Sequence, residues 1–521
     1  MKKFLSLLLV IAMLSTCLLV ITSCGKKDGD LGDEINYEID LNNKPTLKVL
    51  MPNSGKTTES INADPTAQLI AQLTGYNVQY DQLPADATTV LNTIMMDKEQ
   101  YNLMKLTKDQ FSDLVQQEML LDITDALAVY APDVLANISQ ESWDVVTING
   151  RIYGIPERAS SDNIENPIVL NYDLMLENNL EVPTTLEEFE YVLKVLTEKI
   201  GKPALTFDKF TPLVYAISSA FGIYSYWQEY DINGTKEVRF YMNAPRYAEY
   251  VEYMHSLYEK GYIDVEVATN SAAAATNRFV NSFDANAGGA KAAAYACSLW
   301  TVPAIVTGLE AKGINTDGEL VDELAYIRSL KENENDPEKV YRSGGYTYIT
   351  AIPFYMASQA GYALDWMNSK IKDTETEDNF RQIVLGEKDV HWTLSAEGEY
   401  LPINPKFEEK NEASYYMTGS NETKYTDYWL ARVRKQPELF RAWTELMDGA
   451  DEVGVYNVVD FTPPIAAYSS NRANIETNAQ DWFYIMLKNG TGSLAEYTSK
   501  LNGQYKCSEA TSAINSWYYS K

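Results

Sequence analysis

The chain has 521 residues, 45% of them apolar, and a formal net charge of −30. That length and apolar content support two large lobes or three smaller domains, each able to close its own core. A field of this sign repels phosphate backbones and anionic headgroups, which excludes nucleic acid as a partner and favours neutral or cationic ligands, and it keeps the surface soluble.

Lys2 and Lys3 precede a mostly apolar run over residues 4–21, and Thr22-Ser23 then lead to Cys24. This is the pattern of an exported bacterial lipoprotein: residues 1–23 are a signal peptide that is removed, and Cys24 carries the lipid, palmitate included. The alternative is an uncleaved transmembrane anchor, since the run is near the minimum for a bilayer span. Either way the folded part is expected on the extracytoplasmic face of the cell membrane. Losing Lys2 and Lys3 takes the charge from −30 to −32. Residues 24–44 mix Lys, Asp, Gly, Glu and Asn and read as a flexible tether, with folding expected from Pro45.

Thr46-Leu47-Lys48-Val49-Leu50-Met51 reads as a strand ending in the polar loop Pro52-Asn53-Ser54-Gly55-Lys56. Asp64-Pro65 opens a helix with the stripe Ala67, Leu69, Ile70 and Leu73, stopped by Gly75. Tyr76-Asn77-Val78-Gln79-Tyr80 alternates like a second strand, so the chain begins with a strand, helix, strand unit of an α/β sheet. Helices are expected over 88–96 and 110–117, with Tyr101-Asn102-Leu103-Met104 between them. Thr184 or Thr185 caps a later helix with Glu187 and Glu188 in its first turn and Leu186, Phe189, Leu193 and Leu196 on one face.

Ser54-Gly55-Lys56-Thr57 invites a phosphate-loop reading, but the earlier glycine such a loop needs is absent, position 50 being Leu. It is read instead as a polar turn at the carboxyl end of a strand, where open α/β sheets place ligand contacts. His255 and His391 have no Cys or His at metal-ligand spacing, so no metal is expected. With Cys17 in the signal and Cys24 lipidated, Cys297 and Cys507 remain, either free or bridged to each other. No Gly-x-Ser-x-Gly elbow or His-Glu-x-x-His occurs, and no cofactor or catalytic residue is expected.

The succession Thr74-Gly75-Tyr76, Leu120-Leu121-Asp122-Ile123-Thr124-Asp125, Trp143 and Gly150-Arg151-Ile152-Tyr153-Gly154-Ile155-Pro156, then Ile168-Val169-Leu170-Asn171-Tyr172-Asp173-Leu174 and Val182-Pro183-Thr184-Thr185, resembles the extracellular solute-binding lipoproteins of ABC importers. The resemblance is to the family whose members bind maltose and other oligosaccharides, and it runs from Leu47 to the end. Glu157-Arg158-Ala159-Ser160-Ser161, and Asn171 where many relatives carry an arginine, depart from the family pattern and leave the ligand open.

The resemblance implies a periplasmic-binding-protein-like α/β fold: two lobes joined by crossing hinge strands, with the ligand cleft between them. Lobe 1 is expected over 45–165 plus 325–395, lobe 2 over 166–324 plus 396–521, with crossings near 164–171, 324–330 and 394–404. It also implies a monomer that binds a small solute, an oligosaccharide by preference, without chemistry and hands it to the permease subunits of an ABC importer. Trp300, after the strand ending at Tyr295, occupies by resemblance the turn where relatives place a sugar-stacking aromatic. Around it are expected Asn53 and Lys56 from the loop after the first strand, Lys108 and Asp109 from the loop after Leu103-Met104-Lys105-Leu106, and Glu157 and Arg158. Trp227, beside Tyr224 and Tyr226, and Trp392, at a recrossing, complete the set, with core packing as their alternative. Other classes stay open: a peptide, polyamine or other organic solute as ligand, a binding protein serving only a sensor, or a surface glycoside hydrolase using two of the 73 acidic residues.

Overall fold

A computed structural model describes residues 35–36, 38–84, 87–158, 163–209, 211–314, 324–409 and 413–520. Cys24, the signal peptide and the start of the tether lie outside the described residues.

Strand β1 (Leu47–Met51) leads to helix α1 (Pro65–Thr74), which begins where the Asp64 side chain accepts from Thr66 N–H and ends at Gly75 with φ 69°, a left-handed turn that suits glycine. Strands β2 (Val78–Gln82) and β3 (Leu103–Thr107) pair in parallel with β1. Helix α2 (Lys108–Gln116) follows β3 without a loop, because Thr107 and Gln110 form a reciprocal capping box. Lys108 and Asp109, expected in a loop, are therefore the first two residues of a helix. Strand β4 (Ile155–Arg158) ends the first passage through this lobe.

The second lobe opens with β5 (Ile168–Asn171) and α3 (Leu186–Ile200), capped by Thr185 with Glu188 at the reciprocal position, and burying Phe189, Leu193 and Leu196. Strands β6 (Leu205–Phe207), β7 (Ala294–Ala296) and β8 (Leu324–Ile327) complete its sheet, in the order β8-β5-β7-β6. The chain then returns to β9 (Tyr346–Ala351), antiparallel to both β3 and β4, giving a first sheet in the order β2-β1-β3-β9-β4. A hairpin, β10 (Trp392–Leu394) and β11 (Tyr400–Pro402), helix α4 (Tyr425–Arg434) and helix α5 (Arg472–Asn489) follow. The protein thus has an α/β two-lobe fold. Among the described residues no helix is long and apolar enough to cross a membrane.

Core residues of the first lobe run from Leu47 to Ile155 and from Tyr346 to Ala431; those of the second run from Ile164 to Val340 and from Val433 to Ile514. Several expected boundaries therefore move. β8 pairs with β5 in the second sheet, not the first. Residues 396–431 were expected in lobe 2, yet Phe407, Tyr416, Tyr425 and Tyr428 fill the first core. The crossing expected at 394–404 is a hairpin whose Trp392 and Tyr400 pack on the first lobe; the chain changes lobes inside α4 instead. The tether is also shorter than expected. Ile35 and Ile39 pack against the first core, Asp40 N–H donates to Tyr362 Oη at 2.9 Å, and Lys44 Nζ donates to Thr74 O at 3.0 Å. A Cβ on Gly361 would lie 2.8 Å from Ile39 Cγ2, so glycine is what lets this segment lie flat on its helix. Cys297 and Cys507 are free, buried in separate cores.

Candidate functional site

A cleft of about 590 Å³ lies where β3, β4 and β9 of the first lobe face Trp300, Pro303 and Leu439 of the second. Its floor is set by strand register. Lys105 and Ile155 are both paired with Thr350 of β9, and Glu157, two residues beyond Ile155, projects from the same face as Lys105. Lys105 Nζ stands 2.8 Å from Glu157 Oε2 and donates to Ser414 O at 2.9 Å and Tyr415 O at 3.2 Å, with the Tyr348 ring centroid 4.7 Å away. Burial pulls Lys105 below its ordinary pKa and pushes Glu157 above its own, and each is held against that by the other's charge. A shift of register between Tyr346 and Tyr348 bulges β9 at Thr347, which also lines the cleft.

The walls are aromatic and cationic. Trp300 sits on the turn Leu299–Thr301, 38% exposed, with its ring edge-on to Trp429 of α4, the centroids 5.3 Å apart at 83°. Trp429 packs against the cores of both lobes. Tyr415 reaches across to donate from Oη to Pro52 O at 3.0 Å, and Arg432 and Lys435, at the end of α4, close this side. Arg158 donates from Nη1 to Glu141 Oε2 at 2.9 Å. The arrangement offers ring faces, fixed donors and a buried carboxylate to one solute.

A second cavity of about 450 Å³ shares Thr347 with the first. Here α2 is tied to the second lobe: Lys108 Nζ donates to Val459 O at 2.7 Å and Asp460 O at 2.9 Å, Asp109 pairs with Arg472, and Ser112 Oγ donates to Ser469 Oγ at 2.8 Å. Burial pulls Lys108 down to about 8 against the fields of Asp460 and Asp109, and pushes Asp460 up to about 6 against Lys108.

Of the residues expected from sequence, Trp300, Glu157 and Arg158 meet in the first cleft. Lys108 and Asp109 line the second cavity instead. Asn53 ties its loop to the residue after β2, donating to Leu83 O at 3.1 Å, and accepts from Gly55 N–H at 3.0 Å, and Lys56 is exposed; Pro52 is the residue of that loop lining the cleft. Trp227 and Trp392, expected at the ligand, lie in the cores instead. Trp227 is fully buried against Phe240 and Tyr468, and Trp392 is buried with its Nε1 donating to Gly386 O at 2.9 Å. Large rings in both positions complete cores. Residues 425–435, which sequence reasoning passed over, supply Tyr425, Trp429, Arg432 and Lys435. Among the described residues no group of three or more His, Cys, Asp or Glu side chains is placed to hold a metal ion.

This is the fold of the solute-binding proteins that serve ABC transporters. An HMO-binding, ABC-transporter-associated solute-binding protein of Bifidobacterium longum infantis superposes with a TM-score of 0.66 at 15% identity, covering 91% of this chain and 98% of that one. A carbohydrate ABC transporter substrate-binding protein of Streptococcus pneumoniae is 26% identical over 264 residues, 48% of this chain and 49% of the relative, so the match spans about half the length of each. An uncharacterized protein of the butB 5' region in Niallia circulans is 30% identical over 276 residues, 52% of this chain and 98% of the relative. The chain belongs to the family of that Niallia circulans protein. No family model matches it.

Proposed function

We propose that the protein captures an oligosaccharide in the cleft between its lobes and delivers it to the permease subunits of an ABC importer, held at the extracytoplasmic face of the membrane by a lipid on Cys24. The observation that carries the sugar reading is the meeting in one cleft of the Trp300 and Trp429 rings with the buried Lys105–Glu157 pair. Pyranose C–H faces pack on aromatic rings, while hydroxyls need a few fixed, dry polar groups. The carbohydrate named for the Streptococcus pneumoniae relative supports the same class of ligand. The lobes act as units of about 35–158 with 346–431, and 163–345 with 433–520, and hinge closure over the solute, without chemistry, presents the closed shape to the importer.

A thermal-shift screen of oligosaccharides, peptides and polyamines tests this reading. An oligosaccharide at 100 times its dissociation constant adds about 2.7 kcal/mol of stability. Stabilisation by peptides or polyamines alone would refute the sugar.

A further inference from the structure

The second cavity joins the first at the irregularity in β9. In a regular strand Tyr346 and Tyr348 would point to one face and Thr347 to the other. Here Tyr346 is paired with Arg158 and Tyr348 with Glu157, so β9 advances two residues where β4 advances one. The extra residue, Thr347, is exposed and lines both cavities, with Tyr346 lining the second and Tyr348 the first. Gly345, at φ 87°, precedes the bulge, and a Cβ on it would lie 2.8 Å from Cβ of Asp460. Glycine there lets the segment that carries Asp460 lie directly against β9 and wall the second cavity.

The rest of that wall is aromatic. Tyr215, which opens the short helix Tyr215–Ser218, and Tyr341, in the strand Val340–Tyr341, stack with centroids 4.3 Å apart at 14°, so each ring fixes the other. Tyr346 and Tyr468 donate from their hydroxyls to Ser142 Oγ at 3.0 Å and Glu476 Oε1 at 2.9 Å. Among the described residues the hydroxyls of Tyr215, Tyr226 and Tyr341, which line the same cavity, have no hydrogen-bond partner. Solvent alone would satisfy them. A sugar does so with donors and acceptors of the same kind, and in addition packs a C–H face on a fixed ring. Cavities of about 590 and 450 Å³ each fall within the range that encloses a small organic ligand. A single sugar unit occupies one of them, and only a chain occupies both.

We infer that the solute is an oligosaccharide of more than two sugar units that passes Thr347, with its first rings against Trp300 and Trp429 and its further rings against Tyr215 and Tyr341. This rests on the sugar reading above and extends it from one cavity to two.

The test is calorimetric titration of the purified protein with ladders of gluco-, manno-, xylo-, fructo- and chito-oligosaccharides, each from monosaccharide to hexasaccharide. In the ladder that binds, affinity should rise at least about tenfold between disaccharide and tetrasaccharide and then level off. Tyr215→Phe and Tyr341→Phe each delete one hydroxyl and keep the stack. Each should weaken the tetrasaccharide by about threefold to tenfold while leaving the disaccharide and the melting temperature unchanged, whereas Trp300→Ala should weaken both lengths. Affinity that is flat beyond the disaccharide overturns the two-cavity solute and leaves the sugar reading standing. So do Phe variants that keep the tetrasaccharide or lose both lengths alike, and a Trp300→Ala protein that keeps the tetrasaccharide. Failure of every ladder overturns both.

Discussion

Lys105 and Glu157 stand 2.8 Å apart on strands β3 and β4, which flank β9, and both side chains are out of solvent at the floor of the cleft. Two charges buried this way gain less from each other than they lose in hydration, yet removing one alone strands the other. Lys105→Met should therefore destabilise the protein by about 3 to 5 kcal/mol, and Lys105→Met with Glu157→Leu by much less. Urea unfolding of the three proteins reads this directly; a double variant no better than the single one would contradict it.

Trp300 and Trp429 touch each other but differ in what else they hold. Trp300 is 38% exposed on a turn, whereas Trp429 is wedged against both cores. Trp300→Ala should weaken solute binding by about 2 kcal/mol or more with little change in melting temperature. Trp429→Ala should lose binding and, in addition, about 3 kcal/mol of stability. Titration and thermal unfolding separate the two, and unchanged affinity in a folded Trp300→Ala protein would remove that ring from the site.

Asp460 and Lys108 make the tie between α2 and the second lobe sensitive to pH. The carboxyl of Asp460, raised from 3.8 to about 6, is favoured in its protonated form by folding, so its contribution is complete below about pH 4 and fades as pH rises through 6. That change amounts to up to about 3 kcal/mol. Lys108, lowered from 10.5 to about 8, contributes above pH 10.5 and loses its contribution as pH falls through 8. The stability of the wild type relative to Asp460→Asn should therefore fall between pH 4 and 7. Unfolding curves at half-unit intervals check the slope, and a difference independent of pH would exclude Asp460 as its source.

Cys24→Ser should abolish lipid attachment, leaving the protein unprocessed or released from membranes. Detergent partitioning of wild type and variant measures it. Equal partitioning would favour a retained apolar helix over a lipid.

Sequence reasoning succeeded where the determinants were local. Asp64, Pro65 and Gly75 mark both ends of α1 within twelve residues, and Thr185 with Glu188 forms a cap within four. Glu157 and Arg158, expected after the Tyr-Gly-Ile-Pro turn, and Trp300, expected by resemblance, line the same cleft. Lys108 and Asp109 were misplaced although Thr107 and Gln110 carry a readable capping signal. Lys105 was passed over as part of an apolar strand, when a charge within Leu103-Met104-Lys105-Leu106 was itself the clue. Nothing local distinguishes Trp227 or Trp392 from a ligand-stacking ring, because burial of a tryptophan is decided by tertiary neighbours. Trp429, Arg432 and Lys435 reach the cleft because α4 carries the chain between lobes, a long-range event with no signature in the helix itself.

The passage through α4 differs in kind from the non-helical passages at 163–167 and 328–345. Tyr425 and Tyr428 are set in one core and Val433, in the last turn of the same helix, in the other. A strand can flex at any peptide along its length, but a helix held by its own hydrogen bonds transmits torque as an axle does. Tyr425, Tyr428 and Val433 are thus held in one fixed spacing by a single rod of backbone hydrogen bonds that is set in both cores.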